Sequence, residues 1–399
     1  MALVPLYLLI QKDFQLASEG EATLLVTVMG IAYFLPSYPM GMLADRVSRK
    51  KLLAIGLAIN GLGFVGLALA PNYACALACV TLAGFGGSFY HPAATALVAR
   101  LYPVGTGKAL GLVAIGASIG FFVSPIYTGW RAEMAHSWRP PILELGVLGI
   151  VCAGLFYWLA DEERAPAPHA RHNAPAQKMF PTSALWLFFL SASFFFSLRD
   201  FGGTGMASLC SLFLQQAHGL DPQKTGLILS GIFLASAISN PLFGRLSDRG
   251  RVRWAAFLIT LAFAVIVVFP HLSKAWLFTA LMAYGFFFLA SYPVVEAALM
   301  ESVPDAVRGR VFGLFITTGG LIGNLSHWAM GAAVQKLGIN AASPAAYFPI
   351  FGFLALMVLL SLLGLPCLHA IRKRESLDAH AGVRPPDSPI ITPQSAIGK

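Results

Sequence analysis

Residues 41–46 read GMLADR, and residues 244–249 read GRLSDR. A second pair of segments keeps the same separation, with GKALGL at 107–112 and GRVFGL at 309–314. Two different motifs that recur at nearly one interval indicate an internal duplication and not a chance match. The sequence therefore predicts two halves built on one plan, in which corresponding segments run in the same direction.

The composition of the chain indicates the medium in which these halves fold. Of 399 residues, 57% are hydrophobic and 11% are charged, whereas an ordinary soluble domain has about 25% charged residues. Apolar runs such as Leu52–Ala70 and Tyr347–Leu365 are long enough to cross the ~30 Å hydrocarbon core of a bilayer as helices. The chain is therefore predicted to be an all-α membrane protein, with the lipid bilayer as its main partner.

The apolar runs divide the chain into two bundles of six helices. The first bundle covers 1–160, a proline-containing polar linker covers 161–182, the second bundle covers 183–371, and a polar tail, expected to be disordered, covers 372–399. Of the twelve spans, the first is short, because an eleven-residue helix reaches only ~17 Å. Alignment with the seventh span leads us to expect that helix one is incomplete in this sequence.

The positive charges test this topology. The net charge is +9, and 20 of the 27 Lys and Arg residues fall on the side that holds both termini and the linker. This asymmetry is the positive-inside pattern of membrane proteins. It predicts cytoplasmic termini, and it explains the basic balance without nucleic acid as a partner.

The first repeated motif, extended to GMLADRVSRKK, resembles the loop between helices two and three of the major facilitator superfamily. This resemblance implies two six-helix bundles related by a pseudo-two-fold axis and transport by alternating access. It further implies a gate, in which Asp45 caps the eleventh helix, Asp248 plays the same part for the fifth, and Arg100 joins the network. The residues that match the signature, with its weaker second copy, are Gly41, Asp45, Arg46, Arg49, Lys50, Gly244, Asp248 and Arg249.

Within that superfamily, the first half resembles the fosmidomycin-resistance branch of exporters. The resemblance rests on the entry segment from Pro5, on YHPAA at Tyr90–Ala94 and on IGASIGFFVSP at Ile115–Pro125. It implies a plasma-membrane antiporter that exports a small organic molecule in exchange for protons. A proton-coupled uptake symporter remains the alternative.

Two neighbouring charges lie midway along the seventh span. Charged residues inside a membrane are costly and point to function, so Asp200 is a candidate proton acceptor and Arg199 a candidate contact for an anion. Helical neighbours point about 100° apart, so we expect that the two do not pair with each other and that each has another partner or faces a water-filled cavity. Three nearby glycines, Gly202, Gly203 and Gly205, predict a weakened helix at this depth.

Two further residues are candidates for proton coupling. Glu296 lies within the tenth span, and Thr95 of the fourth span is its counterpart in the repeat. His91 precedes Pro92 and could titrate near neutral pH. Each could instead be a structural, hydrogen-bonded group. Glycines at four-residue spacing, as at Gly116/Gly120 and Gly319/Gly323, predict close helix packing.

Other functional classes find little support. A membrane enzyme would need clustered His, Asp or Glu residues, and a sensor or scaffold would need a larger polar domain than the linker or the tail provides. GASIG at 116–120 and GLGFVG at 61–66 match enzyme motifs but lie inside apolar helices, where such motifs lack their structural context. We expect a monomeric transporter without cofactor or metal.

Overall fold

The computed structural model describes residues 1–44, 47–102, 106–161, 179–303 and 305–371. All regular secondary structure in these ranges is helical. The α-helices are α1 Tyr7–Asp13, α2 Glu19–Phe34, α3 Ser37–Ala44, α4 Arg49–Leu69, α5 Tyr73–Gly87, α6 Tyr90–Leu101, α7 Thr106–Ala135, α8 Arg139–Leu159, α9 Ser183–Leu212, α10 Pro222–Leu234, α11 Ser236–Leu246, α12 Arg251–Val268, α13 Leu277–Glu301, α14 Asp305–Gln335 and α15 Phe348–Leu360.

Several helices begin at a side-chain cap that the local sequence supplies. Ser18 accepts from the amide of Glu21 at 3.1 Å, and Asn72 accepts from the amide of Cys75 at 2.9 Å. Such caps satisfy amide groups that have no partner inside the helix. The short loops before α2 and α5 are therefore fixed by their own polar residues.

Eight helical runs in the described part of the chain are long and apolar enough to cross a membrane. Two of these runs join two helices, α2 with α3 and α10 with α11, and so each half contains one interrupted span near its start. Pro36 lies in the first interruption. Proline favours a break at this point because it has no amide hydrogen to donate to the helical hydrogen bonds. The runs are Glu19–Ala44, Arg49–Leu69, Arg139–Leu159, Ser183–Ala217, Pro222–Leu246, Arg251–His271, Lys274–Glu301 and Pro344–Ile371.

The two halves use the same internal packing. In the first half α4 packs against α5 and α8, and in the second half the corresponding α12 packs against α13 and α15. In the second half α9 also packs along α14. The counterpart of α9 in the first half is α1, a helix of only 7 residues. The middle of α7, the counterpart of α14, has open space at Gly116 and Gly120, where α14 has a neighbouring helix.

The halves meet along two helix pairs, α2 with α14 and α7 with α10. We call the end that holds residues 47–49 and 247–250 the motif side, and the end that holds residues 14–18 and 218–221 the opposite side. Packing is tight towards the opposite side, where a Cβ at Gly20 would lie 3.3 Å from the amide nitrogen of Ala332. Towards the motif side Gly244 and Gly313 face open space. Among the described residues, the close glycine contacts between the halves thus lie mainly towards the opposite side.

Arg139 closes the opposite side of the first half. Its guanidinium donates to the carbonyls of Ala68 and Ala70 at 2.8 and 2.9 Å, at the end of α4. It also pairs with Asp13 at 2.8 Å, while Trp138 donates to the same carboxylate at 3.0 Å. One arginine therefore joins the ends of α1, α4 and α8.

The predicted weakening of the seventh span is wrong. Helix α9 runs unbroken from Ser183 to Leu212, and the irregular turn follows it, as the π-helical segment Phe213–Ala217. The glycines allow close approach, because Gly203 lies against the ring of Phe288 and Gly205 against Leu354. Tertiary packing of this kind outweighs a loss of helix propensity of ~1 kcal/mol per glycine.

Candidate functional site

The buried guanidinium of Arg199 is the centre of the site. Its side chain is only 1% exposed, and its Nη2 lies 2.9 Å from Oδ1 of Asp200. The same carboxylate oxygen accepts from Nε at 3.1 Å, and the carbonyl of Ser291 accepts from Nη1 at 3.4 Å. The face of Tyr292 lies 3.9 Å from the guanidinium carbon. Hydrogen bonds and a cation–π contact together hold the charge inside the membrane.

The expectation that Arg199 and Asp200 have different partners is therefore wrong. Their Cβ atoms do point in different directions on the helix, as the periodicity requires. However, the long arginine side chain bends back far enough to reach the short aspartate beside it. Side-chain length decides this contact, and the angle between neighbours on a helix does not describe it.

Asp200 lies against a face of α14 that is formed by glycine residues. A Cβ added at Gly319 would overlap Oδ2 of Asp200, and one at Gly323 would lie 3.2 Å from its Cβ. The predicted close packing at this glycine pair is confirmed, but it is not found at Gly116 and Gly120, which face open space. The carboxylate is 15% exposed, so it retains some access from the interior.

Glu296 is the third charge of the site. It lies one helical turn after Tyr292 on α13 and is partly exposed. Its charge and those of Arg199 and Asp200 act on one another electrostatically. Within the described ranges, however, its carboxylate has no hydrogen bond and no ion pair. The three groups together have a formal charge of −1, and Glu296 is the unpaired member.

A run of small polar side chains leads from Asp200 towards the opposite side. Thr204 donates to the backbone carbonyl of Asp200 at 2.8 Å and lies 2.7 Å from the hydroxyl of Ser326. One turn further along α9, Ser208 contacts Nδ1 of His327 at 2.6 Å and the hydroxyl of Tyr7 at 2.9 Å. Sequence reasoning missed this cluster, although the four-residue spacing of positions 200, 204 and 208 was a signal for it.

Helix α2 supplies the contact from the other half. The hydroxyl of Thr27 donates to the carbonyl of Asn324 at 2.8 Å and accepts from the amide of Trp328 at 2.9 Å. It thereby bridges the carbonyl and the amide that form one i to i+4 pair in the backbone of α14. Further along, Phe34 lies against Gly320. One helix, α14, therefore separates Asp200 from the first half.

The predicted coupling residue His91 lies apart from this group, on α6. It is exposed, and its imidazole contacts the rings of Tyr33 and Tyr90, with centroids 5.7 and 5.4 Å away. All three residues belong to the first half. The contacts do not show a role in coupling, which stays a prediction.

The signature residues lie at the motif side. Asp45, Arg46 and the side chain of Arg100 lie outside the described residues. Gly41 lies in α3, and α4 begins with Arg49 and Lys50, both buried. In the second half, the exposed Asp248 pairs with Arg251 at 3.1 Å, and Arg251 also binds Glu301 at 2.6 Å. Gly244 faces open space and Arg249 is exposed. The predicted gate roles stay predictions.

The profile of the Major Facilitator Superfamily matches residues 1–323 and 197–395. The fosmidomycin resistance protein of Escherichia coli (strain K12) is 24% identical over 374 residues, covering 90% of this chain and 87% of that protein. The enterobactin exporter EntS of Shigella boydii is 26% identical over 374 residues, covering 88% and 86%.

Solved structures show the same fold. A bacterial homologue of the human lysosomal transporter Spinster, in an inward-facing and unoccupied conformation, superposes with a TM-score of 0.75 at 17% identity, covering 94% of each chain. The nucleoside transporter NupG gives a TM-score of 0.71 at 16% identity, covering 91% of this chain and 94% of that one. With its repeated halves, apolar spans and family match across both halves, the chain belongs to the Major Facilitator Superfamily and is a multi-pass membrane transporter, not an enzyme.

Proposed function

We propose that this transporter exports a small organic molecule from the cytoplasm in exchange for protons. Relatives along most of the chain include exporters named for fosmidomycin resistance and for enterobactin. A multidrug resistance protein, MdtG of Proteus mirabilis, is 26% identical over 333 residues. These names support export, and proton coupling is argued from the site itself.

The carboxylate of Glu296 carries the proposal. An unpaired acid within a span gains stability by taking up a proton, because the bilayer interior disfavours an isolated charge. The Arg199–Asp200 pair beside it favours the ionised form through the guanidinium and opposes it through the second carboxylate. These opposing effects suit a group that gains and loses a proton during transport. Asp200 is the second acid that could share this proton.

The uneven packing between the halves supports alternating access. Rocking of one half against the other would open the tightly packed opposite side and close the motif side, where Gly244 and Gly313 have free space. The excess of Lys and Arg on the motif side supports a cytoplasmic position for that side. We therefore propose a cytoplasmic opening in this conformation, an inner-membrane location and, because the two halves of one chain enclose the site, a monomer.

Transport into proteoliposomes tests the proposal. The purified protein would be reconstituted, a pH gradient imposed, and the movement of a panel of organic solutes followed with and without the gradient. Export by antiport requires that substrate and protons move in opposite directions. Transport that ignores the gradient contradicts proton coupling, and movement of both in one direction contradicts antiport and indicates a symporter.

Variants locate the coupling group. Glu296→Gln is expected to abolish the response of transport to the pH gradient, because the group that takes up and releases the proton is then missing. Asp200→Asn is expected to weaken the response. Glu144→Gln is the matched control, since Glu144 is bound to Arg131 at 2.8 Å and to Tyr127 near the opposite side. Full coupling in both Glu296→Gln and Asp200→Asn would show that the site is wrongly assigned.

A further inference from the structure

The guanidinium of Arg199 is already engaged by the protein. Three of its nitrogens, Nε, Nη1 and Nη2, donate to Asp200 and to the carbonyl of Ser291, and the ring of Tyr292 covers one face. With 1% of the side chain exposed, an anionic substrate could reach it only by displacing Asp200. Displacement would leave a carboxylate without a counter-charge inside the membrane, which is costly. The sequence-based hypothesis that Arg199 binds an anion therefore loses its support.

The charge that remains available is negative. Of the three ionisable groups that act on one another here, Arg199 and Asp200 neutralise each other. Glu296 is left, partly exposed and with no hydrogen bond within the described ranges. A carboxylate in this position is stabilised by a proton or by a cation that lies beside it. These two ligands exclude each other at one carboxylate.

An aromatic ring lies near both acids. Tyr292 precedes Glu296 by one turn on the same face of α13 and is partly exposed. Aromatic faces attract organic cations as well as apolar groups. An acid with an aromatic neighbour is a combination that suits a bulky, weakly hydrated cation.

From this charge balance we infer that the substrate is a monovalent organic cation, which binds at Glu296 in place of the proton. The inference rests on the proposed function and adds its substrate class. Deprotonated Glu296 binds the cation at the motif side, and the proton that it gives up leaves on that side. After the cation departs at the opposite side, Glu296 takes up a proton there. One positive charge thus moves in each direction per cycle.

Binding of two ions of equal shape and opposite charge tests the inference. Tetraphenylphosphonium and tetraphenylborate would be added to the purified full-length protein in detergent, with affinity measured by equilibrium dialysis and proton release by a pH indicator in weak buffer. We expect tetraphenylphosphonium to bind more tightly, to weaken as the pH falls, and to release about one proton per ion bound, because the two compete for one site. Tetraphenylborate should bind no better to wild type than to Glu296→Gln.

Glu296→Gln should weaken tetraphenylphosphonium binding by at least about tenfold and remove proton release, as expected when one member of a buried charge pair is lost. Glu144→Gln should bind like wild type, and a thermal unfolding curve checks that both variants are folded. Unchanged binding in Glu296→Gln, or preferred and Glu296-dependent binding of tetraphenylborate, overturns the inference.

The two proposals fail in different ways. If cation binding depends on Glu296 but transport ignores the pH gradient, proton coupling is wrong and the cation site stands. If transport follows the gradient but only anionic or neutral solutes are carried, coupling stands and the cation inference is wrong. The binding and transport measurements together therefore separate the two.

Discussion

The two halves share a scaffold but differ in their chemistry. Both have one interrupted span near the start, and in both the third span packs against the fourth and sixth spans of the same half. Yet the three charges of the candidate site, Arg199, Asp200 and Glu296, all lie in the second half. The position that the repeat pairs with Glu296 is Thr95. Duplication thus preserved the packing pattern, whereas the three charged groups of the candidate site belong to one copy only.

The glycine pairs show the same contrast. Gly319 and Gly323 lie against Asp200, whereas their counterparts Gly116 and Gly120 face open space. Equal residues at equal positions therefore have unequal surroundings, because α14 packs along the 30-residue helix α9, whereas α1, the counterpart of α9, has only 7 residues. Chemically comparable positions with different surroundings therefore allow each variant to be paired with a control.

The largest effect is expected for Arg199→Met. This change leaves the Asp200 carboxylate buried without its partner, which should lower the free energy of unfolding by about 3–5 kcal/mol. The comparable change in the first half, Arg131→Met, affects a pair in which both side chains are about one-third exposed, and should cost no more than about 1 kcal/mol. Thermal unfolding of the purified variants, followed by a thiol-reactive dye or by light scattering, measures the difference.

A double variant checks the cause. Arg199→Met combined with Asp200→Leu removes both charges, and it should be more stable than Arg199→Met alone because no unpaired charge of that ion pair remains. If the double variant is as unstable as the single one, shape and not charge explains the loss.

The second prediction concerns the glycines. In Gly319→Ala the new methyl group collides with the Asp200 carboxylate, and overpacking of this kind typically costs 1–3 kcal/mol. Gly116→Ala should be neutral, or stabilising by up to about 1 kcal/mol, since alanine favours the helix and the space is free. The two melting temperatures test this directly, and equal losses would contradict the packing contrast.

The pair also probes the unseen conformation. If closure of the motif side brings α7 against another helix, Gly116→Ala should slow transport without lowering stability. Transport at the wild-type rate would show that this part of α7 keeps its free space throughout the cycle.

The third prediction concerns the contact between the halves. Thr27→Val removes the hydroxyl that bridges Asn324 and Trp328, and should cost about 1 kcal/mol. Thr128→Val is the matched change, because that hydroxyl bonds within its own helix, to the carbonyl of Ser124. Only Thr27→Val should favour opening of the opposite side. Faster alkylation of a cysteine introduced at Ala332 would report it, and equal rates in both variants would count against the bridge.

The smallest effect on stability is expected for Asp248→Asn. Its side chain is 65% exposed, so the loss should stay below about 1 kcal/mol. Asp45→Asn is the matched change in the fuller copy of the signature, and it should reduce transport more strongly if Asp45 is the principal gate. Initial transport rates decide this, and a larger loss in Asp248→Asn would reverse the assignment.

The fold followed from the sequence because two independent patterns agree. The recurrence of the motifs at 41–46 and 107–112 indicates duplication, and the apolar runs indicate helices in lipid. The identity of the three charges could also be predicted, since charged residues are rare in such runs. Their pairing could not, because the reach of Arg199 depends on its rotamer and not on helical spacing.

The contacts of α1 lay further beyond prediction. Tyr7 contacts Ser208, and the hydroxyl of Ser211 donates to the carbonyl of Val4 at 2.6 Å. Each pairing joins positions about half the chain apart, and the choice between possible neighbours depends on the three-dimensional arrangement of the helices. The spacing of the short polar residues of α9 can be read from the sequence, but the residues that they contact cannot.

The cap formed by Arg139 bears on the order in which the protein assembles during synthesis. All of its partners, Asp13, Ala68, Ala70 and Trp138, precede it or lie beside it in the chain. The cap can therefore form as soon as the start of α8 leaves the ribosome, before any of the second half exists. The contacts of α1 with α9 must wait for the seventh span. In a nascent chain stopped after α8, the ends of α1, α4 and α8 should thus already be joined at one membrane surface. The second half, with the three charges of the candidate site, would then pack against this preformed end.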